Sequence, residues 1–184
     1  MSNTSTNNLT YNQLGKQIFD VAHISGEFLL RSGLISNEYF DKYKFESLPH
    51  LLDEITNQML EILPPSDSYD YLAAMEMGGI PLATLLSLKT GKQIVFVRKE
   101  AKKYGTCKFA EGPDVNGKRL LVVEDVITSG GQVIISSKEL RESGAIINQC
   151  VCVIDREQGG KENLTKDGTT LLPLFTMSKL KELA

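Results

Sequence analysis

Two acidic side chains stand next to a turn that is rich in hydroxyls and glycine. Four apolar residues at 120–123 are followed by Glu124 and Asp125, and residues 128–131 read Thr-Ser-Gly-Gly. The apolar run predicts a buried strand and the pattern after Gln132 predicts a helix, so the turn joins a strand to a helix. Such a turn directs backbone N–H groups and two hydroxyls at one point near the positive end of a helix dipole. The segment therefore predicts a cradle for a phosphate or a carboxylate.

The acidic pair calls for a different ligand group. Glu124 and Asp125 would repel a phosphate that touched them, whereas they could accept hydrogen bonds from the vicinal hydroxyls of a sugar. They lie at the carboxyl end of the predicted strand, where open α/β sheets bind ligands. The alternative is a solvated strand end before an ordinary capped helix. The segment 120–131 has neither the G-x-x-x-x-G-K spacing of a Walker loop nor the spacing of a G-x-G-x-x-G dinucleotide turn.

A basic cluster lies upstream of the cradle, where five of the 20 Lys and Arg residues fall within eleven positions. They are Arg98, Lys99, Lys102, Lys103 and Lys108. Most charge runs are solvated loops. On a chain of net charge −3, a cluster of one sign beside a phosphate cradle is better explained as a receptor for a polyanion such as pyrophosphate.

The elements that must position these residues alternate between short apolar runs and helical patterns. We predict strands at 71–75, 94–97, 120–123 and 150–154, and helices at 80–90 and 132–143. Apolar runs without polar alternation indicate strands buried on both faces, so the fold class is α/β with a mostly parallel sheet. Cys150 and Cys152 alternate within one such run and are predicted to be core residues.

The first part of the chain is predicted to be an addition to this core. An apolar stripe that includes Leu14 and Ile18 predicts an amphipathic helix, and residues 27–31 and 34–44 predict two extended segments around a turn. A further helix begins near Ser47 and ends before the prolines at 64–65. We expect one domain over 1–184, with the N-terminal addition at about 11–45 and the α/β core at about 46–184.

Composition restricts the class of protein. The 184 residues are 41% hydrophobic and 23% charged, which is typical of a soluble globular domain, and the net charge of −3 argues against a nucleic-acid-binding protein. No apolar run approaches the roughly 20 residues that span a bilayer. Three cysteines do not form a disulfide framework, and the polar N-terminus does not resemble a signal peptide. We therefore expect a cytoplasmic protein with neither membrane nor nucleic-acid partners.

The segment 120–131 resembles the phosphoribosyl-pyrophosphate (PRPP) motif of type I phosphoribosyltransferases, in which an acidic pair is followed by V-x-T-x-G-G. In that family the acids hold the ribose 2- and 3-hydroxyls and the turn holds the 5-phosphate. The resemblance implies PRPP binding by Glu124, Asp125, Val126, Ile127, Thr128, Ser129, Gly130 and Gly131. It also implies the type I fold, a mostly parallel central sheet flanked by helices with a small N-terminal hood.

Residues 97–105 resemble the mobile catalytic loop of the orotate phosphoribosyltransferase branch of that family. The resemblance implies that pyrophosphate is bound by Arg98, Lys99, Lys102 and Lys103. It implies Lys102 and Asp125 as catalytic residues, with Lys102 the most important for the rate. In this branch the loop reaches across a homodimer and closes over the neighbouring site, so a homodimer is implied as well. Tyr104 stands where many members have histidine.

Three more segments carry the same resemblance. Residues 28–36 resemble the hood, in which a cation, here Arg31, lies near the base. Residues 155–160 resemble a loop whose arginine, here Arg156, recognises the carboxylate of orotate, for which a planar guanidinium is well suited. Thr128 is implied as a third contact to orotate. The pyrophosphate loop is implied at Glu76, Met77, Gly78 and Gly79, where glycine lets the backbone approach an anion closely.

The resemblance covers about residues 11–184 and implies an enzyme that transfers the 5-phosphoribosyl group of PRPP to orotate. The products would be orotidine 5-phosphate and pyrophosphate, in de novo pyrimidine (UMP) biosynthesis. Mg²⁺ is the implied cofactor, held mainly by substrate oxygens. One alternative is a purine phosphoribosyltransferase, although a neutral purine has no carboxylate for Arg31 and Arg156. The other is a non-catalytic PRPP-sensing regulator that binds nucleic acid, which would want a basic face.

Overall fold

A computed structural model describes residues 9–29, 33, 35–100 and 109–184 of the chain. In chain order the N-terminal elements are α1 (Tyr11–Ala22), β1 (His23–Leu29), β2 (Ile35–Phe40), α2 (Lys42–Glu46) and α3 (Pro49–Leu60). The following elements are β3 (Tyr71–Met75), α4 (Gly79–Thr90), β4 (Gln93–Val97), β5 (Ala110–Glu111), β6 (Arg119–Ile127), α5 (Gly131–Glu142), β7 (Ile146–Asp155), α6 (Gly160–Lys166), β8 (Thr170–Thr176) and α7 (Met177–Glu182).

The central sheet has six strands in the order β5-β4-β3-β6-β7-β8. All neighbouring pairs are parallel except β4 with the short edge strand β5. The predicted α/β class and the four predicted strands are therefore confirmed. The edge strands β5 and β8 were not predicted, and β8 carries Pro173, which an edge strand tolerates because one side of it forms no ladder.

Both faces of the sheet are covered, which is why its strands are apolar without alternation. One face packs against α1, α2, α3, α4 and α7, with Phe45 and Leu86 among its buried residues. The other face packs against α5 and α6, where Leu140 and Leu164 are buried. Cys150 and Cys152 lie on this second face, fully buried and as free thiols, so their predicted place in the core is confirmed.

The N-terminal part contains a separate antiparallel hairpin of β1 and β2. The prediction of an extended segment over 34–44 was wrong at its end, because β2 stops at Phe40 and α2 follows. Asp41 caps α2, since its side chain accepts a hydrogen bond from the N–H of Tyr43 at 3.2 Å. Phe45 then anchors the short helix in the core. Within the described ranges, no helix combines the length and apolarity that crossing a membrane requires.

Candidate active site

The carboxyl ends of four parallel strands meet at one edge of the sheet. These strands are β3, β4, β6 and β7, and each leads into a segment that the sequence singled out. The segments are 76–79, 98–100, 128–131 and 156–160. Open α/β sheets bind ligands at this edge. The topology thus brings the pyrophosphate loop, the start of the basic loop, the cradle and the D-R-x-x-G-G loop to the same side of the molecule.

The cradle is the turn between β6 and α5. Thr128 and Ser129 are exposed, and Gly130 adopts a left-handed conformation with φ of 74° at the N-cap of α5. The N-cap Gly130 has no side chain to cap the helix, the N–H of Gly131 donates a long hydrogen bond to Ser129 Oγ at 3.5 Å, and no acidic residue lies in the first turn. Its first N–H groups therefore point toward the cleft and favour an anion there. The cleft has a volume of about 240 Å³ and is lined by Glu124 and residues 126–133.

The cradle is supported from behind by the segment that follows β7. Asn163 donates a hydrogen bond from Nδ2 to the carbonyl oxygen of Ser129 at 3.0 Å, and the N–H of Arg156 donates to the carbonyl of Ile127 at 2.9 Å. A Cβ at Gly160 would lie 2.7 Å from the carbonyl oxygen of Thr128, so only glycine permits this close approach. These contacts fix the turn before any ligand arrives.

The two acids of the motif lie inside β6 rather than after it, so consecutive side chains face opposite sides of the sheet. Glu124 is 9% exposed and lines the cleft, whereas Asp125 is fully buried beneath it. Burial, followed by its hydrogen bond and like charge with Asp125, raises the pKa of Glu124 well above its ordinary value. A raised pKa reduces the negative charge that Glu124 presents to an anion in the same cleft.

Asp125 is the ionised member of this pair. Burial acts to raise its pKa, but the hydrogen bond with Glu124 and the attraction of Lys42 outweigh burial and lower it. Its Oδ1 accepts a hydrogen bond from the N–H of Val126 at 2.5 Å, and its Oδ2 forms an ion pair with Lys42 Nζ. Glu124 therefore forms part of the cleft lining, whereas Asp125 is buried against α2 and the 76–79 loop.

Lys42 and Glu46 of α2 also belong to this cluster, and the sequence interpretation missed both. Burial first, and the Asp125 charge second, raise the pKa of Glu46 to about 9. Burial opposes the charge on Lys42, but the attraction of Asp125 outweighs it and raises the pKa of Lys42. The i, i+4 spacing of the two residues would have been a signal had 42–46 been recognised as a helix.

The pyrophosphate loop and the basic loop are joined where they begin. Glu76 accepts a hydrogen bond at Oε2 from the N–H of Lys99 at 3.1 Å. Arg98 lies with its Nε 4.0 Å from Oε1 of Glu111 on β5. Met77 is exposed. The remaining basic-loop residues Lys102 and Lys103, and Arg31 of the hood, lie outside the described residues.

Arg156 directly follows β7 at the same edge of the sheet. Its Nε is buried and has no hydrogen-bond partner among the described residues. The neighbouring Glu157 adopts φ of 57°, and its carboxylate accepts hydrogen bonds from Ser178 N at 2.7 Å and Ser178 Oγ at 2.8 Å. The loop is thus tied to α7. A buried donor without a partner, in a loop fixed on both sides, indicates a place for an anionic ligand.

Comparison with known proteins agrees with this geometry. The phosphoribosyl transferase domain family matches residues 45–175. The chain thus belongs to the phosphoribosyltransferases, a class of enzymes, and it has the type I fold. An orotate phosphoribosyltransferase of Nocardioides sp. strain JS614 is 46% identical over 167 residues, which are 91% of this chain and 92% of that relative. Within the class, the chain is a member of the orotate phosphoribosyltransferase family.

Solved structures show the same fold. The crystal structure of orotate phosphoribosyltransferase from Aeropyrum pernix superposes with a TM-score of 0.79 at 25% identity, covering 92% of this chain and 96% of that one. The Mycobacterium tuberculosis H37Rv enzyme, solved in complex with PRPP, superposes with a TM-score of 0.75 at 22% identity and covers 93% and 98% of the two chains. The latter likeness concerns the fold alone.

Proposed function

We propose that this enzyme transfers the 5-phosphoribosyl group from PRPP to orotate, giving orotidine 5-phosphate and pyrophosphate in pyrimidine nucleotide synthesis. The observation that carries the proposal is the cleft at the end of β6, where the uncapped start of α5 and the buried Glu124 share one wall. This cleft offers a phosphate site and a hydroxyl site side by side. The relatives are named for orotate, and they lend no support to the purine or regulator alternatives.

Each part of the two substrates has a complementary group in this arrangement. The 5-phosphate binds the N–H groups and hydroxyls of 128–131, and the ribose hydroxyls bind Glu124. Pyrophosphate binds the backbone of the 76–79 loop together with the basic loop that begins at Arg98. The carboxylate of orotate pairs with Arg156, with Arg31 and Thr128 as further contacts.

The reaction requires no protein nucleophile. The bond between ribose C1 and the pyrophosphate oxygen breaks, and N1 of orotate bonds to C1 through an oxocarbenium-like state. Pyrophosphate leaves with the electron pair of the broken bond, and the proton of N1 passes to water. The protein contributes orientation of the two substrates and positive charge for the leaving group. Lys102 is the residue we assign to charge stabilisation. The loop that carries it, closing as a lid, would exclude water and so suppress hydrolysis of PRPP.

Mg²⁺ is the metal we propose, and it would neutralise charge on the leaving pyrophosphate. It favours oxygen ligands and keeps several waters. Over the described ranges, no three His, Cys, Asp or Glu side chains are grouped to hold a metal ion. We propose that pyrophosphate and ribose oxygens supply most of its ligands.

We also propose a homodimer in which the basic loop serves the neighbouring site, and a cytoplasmic location. The reduced, buried Cys150 and Cys152 are in keeping with a reducing compartment.

The test is to follow the ultraviolet absorbance of orotate with purified protein, PRPP and Mg²⁺. Parallel reactions contain uracil, hypoxanthine or adenine. Loss of orotate that depends on both PRPP and Mg²⁺, with the other bases inert, is the expected result. If folded protein binds PRPP but does not consume orotate, the assignment of the phosphate cradle stands and the assignment of orotate as the base is overturned.

A further inference from the structure

Helix α2 lies outside every motif that the sequence singled out, yet two of its side chains reach Asp125 of the acidic pair. Lys42 and Glu46 are one turn apart and share a face of the helix. Lys42 forms an ion pair with Oδ2 of the Asp125 carboxylate, and Glu46 is buried close enough to this carboxylate that Asp125 raises its pKa. Three elements therefore meet at this carboxylate, because the pyrophosphate loop also touches it.

The Asp125 carboxylate depends on these partners, because it is completely removed from water. A buried carboxylate without compensation is strongly unfavourable. Lys42 is the cation that pairs with it, and its side chain is 31% exposed. Glu46 is itself only 8% exposed and, as a neutral acid, adds a hydrogen-bond donor without a second negative charge. The cluster thus balances one ammonium against one carboxylate.

The third neighbour of this carboxylate is the backbone of the pyrophosphate loop. A Cβ built on Gly78 would overlap the Asp125 carboxylate, and one built on Gly79 would overlap the carbonyl oxygen of Val123. The loop therefore rests directly on β6, with Gly79 against its backbone and Gly78 against the Asp125 carboxylate. Any displacement of the Asp125 carboxylate toward the loop must move the loop backbone.

We infer that Lys42, supported by Glu46, is a positioning residue: it holds Asp125 so that the 76–79 loop keeps a fixed distance from the 5-phosphate cradle. This inference rests on the proposed function, in which the cradle and the loop bind opposite ends of PRPP. The pair sets the span between the two phosphate-binding backbones, and this span distinguishes PRPP from a sugar phosphate that lacks the diphosphate.

The consequence is a selective loss of affinity. Ribose 5-phosphate needs only the cradle and Glu124, whereas PRPP needs the cradle and the loop together. Removing the Lys42 ammonium leaves the negative charge of Asp125 without a partner next to the 76–79 loop. The loop then shifts, and its contacts with the diphosphate group of PRPP are lost. General damage to the fold would weaken both ligands to the same extent.

The experiment measures binding of PRPP and of ribose 5-phosphate by titration calorimetry for Lys42→Met, Lys42→Arg and wild type. Lys44→Met is the matched control, because Lys44 is exposed on the same helix. We expect Lys42→Met to raise the Kd for PRPP by about tenfold or more, and the Kd for ribose 5-phosphate by less than about threefold. Lys42→Arg retains the charge, so it and the control should bind both ligands within about threefold of wild type.

Equal weakening of the two ligands by Lys42→Met, or no weakening of PRPP, would overturn the inference. Should Lys42→Met fail to fold, the comparison of Asp125→Asn with the double variant Lys42→Met/Asp125→Asn decides. If Lys42 acts only through Asp125, then Lys42→Met causes no further loss of PRPP affinity in the Asp125→Asn background. An additive loss in the double variant contradicts the inference. Neither measurement contains orotate, so failure of the proposed base in the absorbance assay is a separate result.

Discussion

Arg156 offers the most direct single-residue test of base recognition, because its buried Nε has no hydrogen-bond partner among the described residues. Charge-assisted hydrogen bonds to a carboxylate contribute about 1.5–3 kcal/mol. We therefore predict that Arg156→Gln raises the KM for orotate about 10- to 100-fold and leaves the Kd for PRPP unchanged. Steady-state kinetics at saturating PRPP provide the first value and calorimetry the second. Lys161→Gln, an exposed cation nearby in α6, is the control.

An unchanged KM for orotate in Arg156→Gln would assign the carboxylate to a different cation. A parallel rise in the Kd for PRPP would instead indicate that the loop supports the cradle, to which the Arg156 backbone is hydrogen-bonded through Ile127.

Lys102 tests the chemical step itself. We predict that Lys102→Ala folds as the wild type does and loses on the order of 10²-fold or more in kcat, the scale of one missing transition-state contact. The reason is that negative charge grows on pyrophosphate as it leaves. Rapid single-turnover measurements at saturating substrates check this directly, with Lys138→Ala on the exposed side of α5 as control. Unchanged turnover in Lys102→Ala would refute the assignment of the loop.

Glu46 predicts a pH dependence of stability. Its pKa is 4.5 in the unfolded chain and about 9 in the folded one, so the native state binds a proton that the unfolded state has released. The free energy of unfolding must then fall as pH rises between these values, by at most about 1.4 kcal/mol per pH unit. Glu46→Gln keeps a hydrogen-bond donor toward Asp125 but cannot ionise.

We therefore predict that Glu46→Gln becomes more stable relative to the wild type as pH rises from about 5 to about 9. Urea unfolding at several pH values measures the difference. A difference that stays constant with pH would show that Glu46 is ionised in the native protein. The raised pKa of Glu124 also lowers the free energy of unfolding as pH rises. Because Glu124 is present in both proteins, its contribution cancels in the difference between them.

At the scale of the element, the start of α5 determines whether the cradle forms. Gly130 has φ of 74°, and a Cβ there would lie 3.1 Å from Leu164 Cγ. We predict that Gly130→Ala lowers the free energy of unfolding by about 1–2 kcal/mol and weakens PRPP binding, because an alanine is strained in this conformation. Chemical denaturation and calorimetry check the two effects.

Gly131→Ala is the matched stability control for the same turn. A Cβ there meets only Ser129 Oγ at 3.6 Å, which is an ordinary contact, and the residue begins the helix. Its free energy of unfolding should equal or exceed that of the wild type. Equal destabilisation by the two substitutions would mean that the conformation of Gly130 is not the cause.

The elements also show what a sequence can reveal and where it stops. The central strands could be predicted because both of their faces are buried, so their apolar runs are continuous. The cradle could be predicted because its residues are consecutive. Helix α2 could not, because it has five residues and its structure depends on the Asp41 cap and on the burial of Phe45. With α2 missed, its contact with Asp125 was also out of reach, since that contact joins residues distant in sequence.

At the scale of the whole molecule, the parallel sheet explains how a chain of net charge −3 can serve a polyanionic substrate. Four strand ends deliver Gly-rich turns, an uncapped helix start and arginines to one edge, while acidic residues elsewhere set the overall charge. Glu76 and Asp155 also lie at this edge, and the cluster of Glu124, Asp125 and Glu46 adds little net charge to it. Glu124 and Glu46 have raised pKa values, and Asp125 is paired with Lys42. The anion site is therefore compatible with the motif that contains these acids.

The proposed homodimer yields a prediction that one chain alone cannot satisfy. If the basic loop serves the neighbouring site, Lys102→Ala and Arg156→Gln disable different positions within each shared site. In a mixed dimer one site carries both defects and the other carries neither. In an equal mixture of the two variants with free subunit exchange, half of the dimers are mixed. Since each mixed dimer has one intact site, the mixture should recover roughly a quarter of wild-type activity. The assay uses an orotate concentration at which Arg156→Gln alone is nearly inactive. Without exchange the activities merely average. If the loop instead serves the site of its own subunit, every site of the mixed dimer carries one defect. The shared arrangement is therefore excluded if native mass spectrometry detects mixed dimers but no activity is recovered.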